Sequence, residues 1–532
     1  MFRKLKTVCL LVLAALLIGL FVLALHFESL AAEPLTVLSQ QEYDAILSNE
    51  SQTAASASAG TLYSGGVPAV FADERYLIST QARADTAISA VGYQSVRYSA
   101  AFAPDDAFSD FKEAVSQGHA FTLVVSNGRR YFTREVVFTT LPVLSLSADA
   151  QYAQLIATKE ADAECSLLSP DGTFVSSIST FRIRGNLSTA LNKKSFRLTL
   201  YQNSGTRNPL SLLGMQESSE WILLPLFTDD SRMREKVSLD LWNALASTNP
   251  DNDCFTGTMQ YLELVINDCY MGLYGLVRPV DEVSFGIDGD TNARYYQFIS
   301  WFEPETEARY LSDVTTLSQF AELKYPDESA SDAACWQPLT AYIDLVYAGL
   351  ETPSAERMEA LFNRSNAVDY TLYTACCAAE DNLFKNMLMI WREDADETYR
   401  FFRVPWDLDF TFGNYFSNDA PLYRSFCMDK AETVTLPTDM EVWLSVDQDG
   451  MGRLLATRWA ELRQDLFSET SLVPRFTEQA RVLEESGALL RETDAWPESP
   501  VTSDLSDITA FLHARLAFLD GYFDSLADGT DR

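Results

Sequence analysis

The stretch PWDLDFTFG, residues 405–413, places two carboxylates in an otherwise apolar and aromatic run. The pattern predicts a β-strand on which Asp407 and Asp409 share one face while Trp406 and Leu408 share the other. Two like charges on one face repel each other unless a cation lies beside them. A hard divalent ion such as Mg²⁺ takes oxygen ligands of this kind, so the stretch predicts a metal site. The alternative is a solvated pair of aspartates near a turn.

A second polar segment, EDNLFKN at residues 380–386, lies at the end of a predicted helix. Asp381 and Asn386 stand in the D-x-x-x-x-N spacing by which protein kinases present a base and a metal-binding amide on one loop. Asp407 then falls where kinases place a second metal-binding aspartate. Phosphoryl transfer needs held phosphates, metal-neutralised charge and a carboxylate near the attacking hydroxyl, and these residues could supply part of that. The correspondence is an analogy in spacing, because neither H-R-D nor D-F-G occurs.

A basic cluster, unusual in this acidic chain, lies further upstream. RIRGN at residues 182–186 is followed by NKKSFR at residues 192–197. A strand, a Gly-Asn turn and a returning basic strand could lay backbone N–H groups and a lysine over phosphates. The alternative is an ordinary polar hairpin. The candidate anion-binding residues of this cluster are Arg184, Asn186, Lys193 and Lys194.

The order of the predicted elements changes from strands to helices along the chain. A helix is predicted from about Ser231 to Leu245, with Asp229 and Asp230 able to cap its first turn. YLELVINDCYMGLYGLVRPV predicts a β-hairpin with its turn at residues 267–268. Mainly helical patterns follow. Strands first and helices later predict a two-lobed α+β domain.

Taken together and in order, these segments resemble the CotH kinase family (spore-coat protein H). The resemblance extends from about residue 141 to the C-terminal helices. The combination of RGN-KK, N-x-x-x-x-G-x-Y and PWDLD-x-x-FG is specific, whereas none of the three is specific alone. The segments that carry the resemblance are RIRGN, KKSFRLTL, LLGMQESSEWILL, DDSRMREKVSLDLW, YLELVINDCYMGLYGL, EDNLFKN and PWDLDFTFG.

The resemblance implies an atypical, two-lobed kinase-like fold that binds ATP with Mg²⁺ and phosphorylates Ser or Thr, as described for spore-coat proteins. It implies that Lys193 or Lys194 contacts phosphate, and Lys194 is favoured. The other implied roles are Asp381 as the catalytic carboxylate, Asn386 and Asp407 on the metal, and Asp409 in support.

Two positions depart from the family pattern. Arg278 stands where the family often carries an acidic residue after its G-x-Y strand. If that carboxylate orients the lysine or a metal, then Asp281 or Glu282 must replace it. Glu235 stands where the family usually has an asparagine. Neither change touches the acidic residues to which the chemistry is assigned.

The N-terminus predicts export. Three basic residues precede an apolar run at residues 8–25, which is just long enough to span a bilayer. The run is either an uncleaved anchor or a signal peptide cut near residues 31–32. The predicted organisation is a signal or anchor at 1–33, a tether and small β-rich domain at 34–140, and the CotH-like domain at 141–532. The β-rich domain could be a spacer or an adhesion module.

Composition excludes several classes of function. Forty Lys and Arg against 75 Asp and Glu give a net charge of −35, which repels phosphate backbones and makes nucleic acid an improbable partner. Three histidines argue against a Ser-His-Asp triad or a multi-histidine zinc site. The eight cysteines include no C-x-x-C pair and do not indicate a disulfide-rich scaffold.

Three functions remain after this reading. The first is an exported, membrane-anchored kinase that transfers a phosphoryl group from ATP to a surface or coat protein. The second is a cell-surface binding or structural protein that keeps the fold without turnover. The third takes the D-x-D as the metal site of a glycosyltransferase, but the alternating strand-helix pattern of a doubly wound nucleotide domain is missing.

Overall fold

The chain combines helices with several β-sheets, which confirms the predicted α+β class. The computed structural model describes residues 35–528 apart from 49–52, 55–59, 65–66, 83–85, 87, 93–96, 107, 109, 127–129, 150–159, 186, 301–313, 327–331, 348–351 and 417–423. Among these residues no helix combines the length and the apolar character that a bilayer crossing requires. The predicted segment 8–25 lies outside the described residues, so export stays a prediction.

The first part of the chain forms a nine-stranded sheet in the order β3-β2-β6-β7-β8-β9-β5-β4, with β1 paired to β9. Short runs rich in Val, Tyr and Phe form its strands, and Phe138 packs edge-on against Phe102 and Phe121 in its core. The elements are helix α1 (Gln40–Leu47), β1 (Thr53–Ala54), β2 (Gly60–Ser64), β3 (Val67–Pro68), β4 (Val70–Ala72), β5 (Arg75–Ser79), β6 (Ile88–Gly92), β7 (Arg97–Phe102), α2 (Phe111–Ser116), β8 (Ala120–Ser126) and β9 (Arg130–Thr139).

The next part is a closed seven-stranded barrel in the order β10-β11-β12-β13-β14-β16-β15. Parallel pairing of the first strand with β15 closes it. The predicted hairpin turn is present, because Asn267 and Asp268 both have positive φ, as a two-residue primed turn requires. The elements are β10 (Val143–Ala148), β11 (Ala161–Leu168), β12 (Phe174–Arg184), β13 (Ser195–Tyr201), β14 (Glu220–Leu224), α3 (Arg234–Ala246), β15 (Thr258–Ile266) and β16 (Cys269–Arg278).

The remaining part is mainly helical and surrounds a four-stranded sheet in the order β18-β17-β19-β20. Its large apolar core continues onto helix α3. The elements are β17 (Arg294–Phe298), α4 (Val314–Phe320), β18 (Ala321–Tyr325), α5 (Ala333–Val346), α6 (Ala355–Leu361), α7 (Arg364–Cys377), β19 (Met387–Glu393), β20 (Tyr399–Pro405), β21 (Asn414–Phe416), β22 (Arg424–Phe426), α8 (Thr438–Val446), α9 (Arg453–Arg463), α10 (Glu469–Ser486), α11 (Ala488–Ala495) and α12 (Ser506–Asp528).

The nine-stranded sheet packs against both other parts. The N–H of Asp73 donates to the Asp268 carbonyl over 2.9 Å, at the barrel's hairpin turn. Lys112 on α2 pairs with Glu485 on α10 at 2.8 Å. An added Cβ on Gly487 would lie 2.5 Å from the Val115 carbonyl oxygen, so the chain needs glycine at this approach. Contacts with the barrel and with the helical part therefore occupy this face of the β-rich part.

Two predictions about local structure need adjustment. The predicted helix at Ser231–Leu245 is α3, which begins at Arg234 because Asp229 accepts the Arg234 N–H at 2.7 Å and Arg232 has positive φ. The predicted strand through residues 405–413 was wrong beyond its first residue. Strand β20 ends at residue 405, since Asp407 adopts a φ of 61° and the chain turns out of the sheet.

Candidate functional site

A polar cleft of about 1170 Å³ lies between the barrel and the helical part. Its volume is slightly larger than the range of about 300–1,000 Å³ that is usual for small-molecule sites. One wall is built from strands β12 to β14, and the other from residues around the 3₁₀ turn at Glu380–Leu383 and from the chain after β20. The predicted site residues that line this cleft are Arg184, Asp381, Asn386, Asp407 and Asp409.

Asp381 and Asn386 are in direct contact. The Asn386 Nδ2 donates to Asp381 Oδ2 over 2.6 Å, and the Lys385 ammonium lies 3.4 Å from the same oxygen. Because the amide nitrogen faces Asp381, the amide oxygen is the candidate ligand atom for a metal. Asn386 itself has a φ of 53°, a conformation that asparagine tolerates better than most residues.

Asn382 joins this segment to the one that carries Asp407. Its Nδ2 donates to the carbonyl oxygens of Asn386 and Trp406, each over 2.8 Å. The Trp406 N–H in turn donates to the Asn386 carbonyl over 3.0 Å. The 3₁₀ turn and the chain after β20 are therefore held together by the backbone, and their acidic side chains meet in one cleft.

Asp407 and Asp409 are half-buried, whereas Trp406, Leu408 and Phe410 are buried. Glu235 lies beside them and is only 2% exposed. Burial raises the pKa of the Glu235 carboxyl well above its ordinary value, and the nearby aspartates raise it further. Like charges repel, so the two aspartates make the ionised form of Glu235 less favourable.

Arg184 supplies positive charge on the opposite wall. Burial lowers the pKa of its guanidinium, while Asp407 and Glu235 counteract that effect. An arginine stays protonated under all ordinary conditions. Arg182 and Arg197 line the same wall, and Arg197 pairs with Glu220. The cleft thus sets a cationic wall against an acidic one.

The predicted lysines lie elsewhere, which corrects the assignment of phosphate contacts. Lys193 is fully buried, pairs with Glu492 at 2.7 Å and donates to the Leu273 carbonyl over 2.6 Å. Burial lowers the pKa of Lys193 to about 8, while the negative charge of Glu492 beside it acts in the opposite direction. Lys194 donates to the carbonyls of Thr189 and Leu191. Neither lysine lines the cleft, whereas Arg184 does. Asn186 lies outside the described residues.

Arg278 lies in the cleft wall at the end of β16 and is 6% exposed. Its guanidinium donates to the Pro279 carbonyl and to Ser284 Oγ, and it lies 3.6 Å from Asp281. Arg278 replaces the acidic residue that the family often carries at this position, but buried Lys193 still has a carboxylate partner, because it pairs with Glu492. Asp281 pairs with Arg278 itself.

The donor set of the cleft fits a magnesium-nucleotide better than a metal ion alone. Among the described residues, no three His, Cys, Asp or Glu side chains converge to hold a metal ion by themselves. Mg²⁺ is commonly bound through one or two carboxylates together with waters and substrate phosphates. Asp407 and the Asn386 amide oxygen could supply the protein's share of such a shell.

The structure thus defines a mixed α+β protein with one oxygen-lined cleft between a barrel and a helical part. The chain belongs to the CotH kinase family, since the family model described as "CotH kinase protein" matches residues 181–519. No curated protein matches the chain. The match includes both walls of the cleft and leaves the nine-stranded sheet outside.

Three residues shape this region without a sequence signal for their contacts. Nothing in the local sequence of Glu492 distinguishes it from other helical glutamates. No motif indicates Thr228, whose hydroxyl donates to Asp409 Oδ2. Glu235 stands out in the sequence as a departure from the family pattern, but that does not indicate that its carboxylate accepts the Leu408 N–H.

Proposed function

We propose that the cleft binds ATP with Mg²⁺ and that the chain transfers a phosphoryl group to a Ser or Thr hydroxyl. The observation that carries this proposal is the meeting of Asp381, Asn386 and Asp407 in one cleft opposite Arg184. Membership of the CotH kinase family supports it. In this proposal the barrel and the helical part are the two lobes of an atypical kinase.

Asp381 is the proposed base. Its carboxylate is oriented by Asn386 and Lys385, so an acceptor hydroxyl entering the cleft can pass its proton to a fixed oxygen. Positioning of this kind is most of what a protein contributes to phosphoryl transfer.

Asp407 and Asn386 would hold Mg²⁺, with Asp409 in support. When bound, the ion neutralises charge on the transferred phosphoryl group. Arg184 contributes from the other wall, where its guanidinium can pair with phosphate oxygens in a bidentate manner. This assigns to an arginine the role that the sequence had predicted for a lysine.

The proposed acceptor is a protein at the cell surface or in a spore coat, as family membership suggests. Residues 8–25 would anchor the chain in the membrane with the rest outside, or be removed on secretion. The net charge of −35 supports a protein partner rather than a nucleic acid.

The second candidate is a surface or coat protein that keeps the fold without turnover. The observation that favours it is the withdrawal of Lys193 and Lys194 from the cleft, which removes the cation that the family resemblance implied. The two candidates differ in whether the chain binds ATP at all in a metal-dependent way.

Calorimetric titration of the purified full chain with ATP separates them. We expect binding that requires Mg²⁺ and that weakens at least tenfold in Asp407→Ala, because this substitution removes a carboxylate that binds the metal directly. Asp240→Ala is the matched control, since Asp240 pairs with Lys236 on α3 and does not line the cleft.

Each result of this titration has a definite meaning. Metal-dependent binding lost in Asp407→Ala and kept in Asp240→Ala supports the nucleotide site. A well-folded wild-type chain that binds no ATP would refute the kinase proposal and favour the scaffold. Binding that is the same with and without Mg²⁺ would contradict the role given to Asp407.

A second prediction tests whether Arg184 or Lys194 binds the phosphates. Arg184→Ala is expected to lower ATP affinity by about ten- to a hundredfold, because a charge-assisted hydrogen bond to phosphate contributes about 1.5–3 kcal/mol. Lys194→Ala should leave the affinity within about twofold, since its ammonium group already bonds two backbone carbonyls. The measurement is the dissociation constant of Mg·ATP for both variants. A larger loss in Lys194→Ala than in Arg184→Ala would restore the lysine assignment.

A further inference from the structure

The tripeptide Asp407–Asp409 lies beyond the end of β20, so strand pairing does not fix its orientation. Its orientation is fixed by contacts with another segment of the chain. The Thr228 hydroxyl donates to Asp409 Oδ2, and the Leu408 N–H donates to the Glu235 carboxylate. One contact therefore holds a side chain of the tripeptide and the other holds its central backbone amide.

Both contacts come from residues 225–235, which comprise the connection after β14 and the first two residues of α3. This connection is itself held firmly. Asp229 accepts the N–H groups of Ser231 and Arg234 at 2.9 and 2.7 Å, and it pairs with the Arg234 guanidinium. Buried, hydrogen-bonded segments of this kind lose little further entropy when they orient a neighbour.

Asn414 links the two segments a third time. Its Nδ2 donates to the Asp409 carbonyl over 2.7 Å and to the Thr228 carbonyl over 3.3 Å. The same asparagine lies just after Gly413, at the start of β21. The tripeptide is therefore contacted by Thr228 and Glu235 on one side and by Asn414 on the other.

We propose that Thr228 and Glu235 are positioning residues that aim Asp407 and Asp409 at the cation. The inference rests on the proposed function, because it assigns these carboxylates to Mg²⁺. Each residue acts through the tripeptide, and neither is a ligand. The contact does not require the Glu235 charge, because an amide oxygen can also accept the Leu408 N–H, although more weakly than a carboxylate does.

The test compares variants that remove each contact with variants that keep it. Thr228→Val and Glu235→Leu remove the hydrogen bonds with little change of volume, whereas Thr228→Ser and Glu235→Gln retain them. Thr371→Val is the control, since it removes another buried hydroxyl, bonded to the Ala367 carbonyl over 2.8 Å on α7. The readouts are the Mg²⁺ concentration that half-saturates ATP binding and the melting temperature of the ligand-free chain.

We expect the half-saturating Mg²⁺ concentration to rise about tenfold in Thr228→Val and in Glu235→Leu, as for other groups that orient metal ligands. Ser and Gln should restore it to within about threefold of wild type. Thr371→Val should lower the melting temperature without moving the Mg²⁺ dependence. An unchanged Mg²⁺ dependence in both removal variants would overturn the proposal.

Hydrogen exchange in the ligand-free chain tests the positioning independently of nucleotide binding. The Leu408 amide should exchange at least tenfold faster in Glu235→Leu than in Glu235→Gln, because only the glutamine can still accept a hydrogen bond from the Leu408 N–H. Equal exchange in the two variants would overturn the proposal even if ATP binds. If the wild-type chain binds no ATP, the proposed function fails, while the exchange comparison still decides whether Glu235 holds the tripeptide.

Discussion

Asp381→Asn is expected to lower the rate of phosphoryl transfer about a thousandfold while leaving Mg·ATP affinity within about threefold. Asparagine keeps the shape of the side chain and can still accept the Asn386 amide proton. It cannot take a proton from an acceptor hydroxyl. The loss should therefore appear in kcat and not in nucleotide binding. The measurement is transfer of labelled γ-phosphate to a peptide library containing Ser and Thr, with binding followed by calorimetry.

Asp520→Asn provides the matched control for this experiment. Asp520 accepts from the Trp459 indole over 2.9 Å and from Arg463, away from the cleft, so the same chemical change should leave transfer unaltered. Full transfer by Asp381→Asn would remove the carboxylate from the mechanism. Equal losses of transfer and of ATP binding would instead make Asp381 a ligand-binding residue.

The acidic wall of the cleft was largely predictable from sequence. The D-x-x-x-x-N spacing brings Asp381 and Asn386 into contact because one 3₁₀ turn and the short segment after it span that distance. The alternation in residues 406–410 also gave the correct exposed and buried sides, although these residues are not a strand. Polar side chains that must face a cleft and apolar ones that must be buried impose the same alternation on an irregular segment.

The cationic wall was not predictable in the same way. Lys193 and Lys194 belong to a basic segment that suits phosphate, and Arg184 belongs to its other strand. Which of them reaches the cleft depends on where each side chain finds a partner. The partner of Lys193 is 299 residues further along the chain, and no local pattern indicates a contact of that range. Closure of the barrel, which pairs β10 with β15, also joins segments that are far apart in sequence, because Val143 pairs with Glu263.

Glu492→Gln is expected to destabilise the fold by about 3–5 kcal/mol, because it leaves two buried cations without a counter-charge. Glu492 is fully buried, pairs with Lys193 at 2.7 Å and Arg232 at 3.2 Å, and accepts the Leu273 N–H over 2.8 Å. Helix α11 is thereby fixed to the barrel. The measurement is the loss of unfolding free energy in urea, followed by tryptophan fluorescence.

Two further variants separate the buried charge from a general effect of changing a glutamate. Glu485→Gln makes the same substitution in a surface cluster with Lys112 and Arg481, where about 1 kcal/mol or less per pair is expected. Adding Lys193→Met to Glu492→Gln should recover part of the lost stability, because one of the two uncompensated charges disappears and an apolar chain fills its place. Arg232 would keep the recovery incomplete, since its guanidinium also bonds Ser499 and stays buried. If Glu492→Gln costs no more than Glu485→Gln, the buried charges of Glu492, Lys193 and Arg232 contribute no more to stability than a surface pair, and this prediction is wrong.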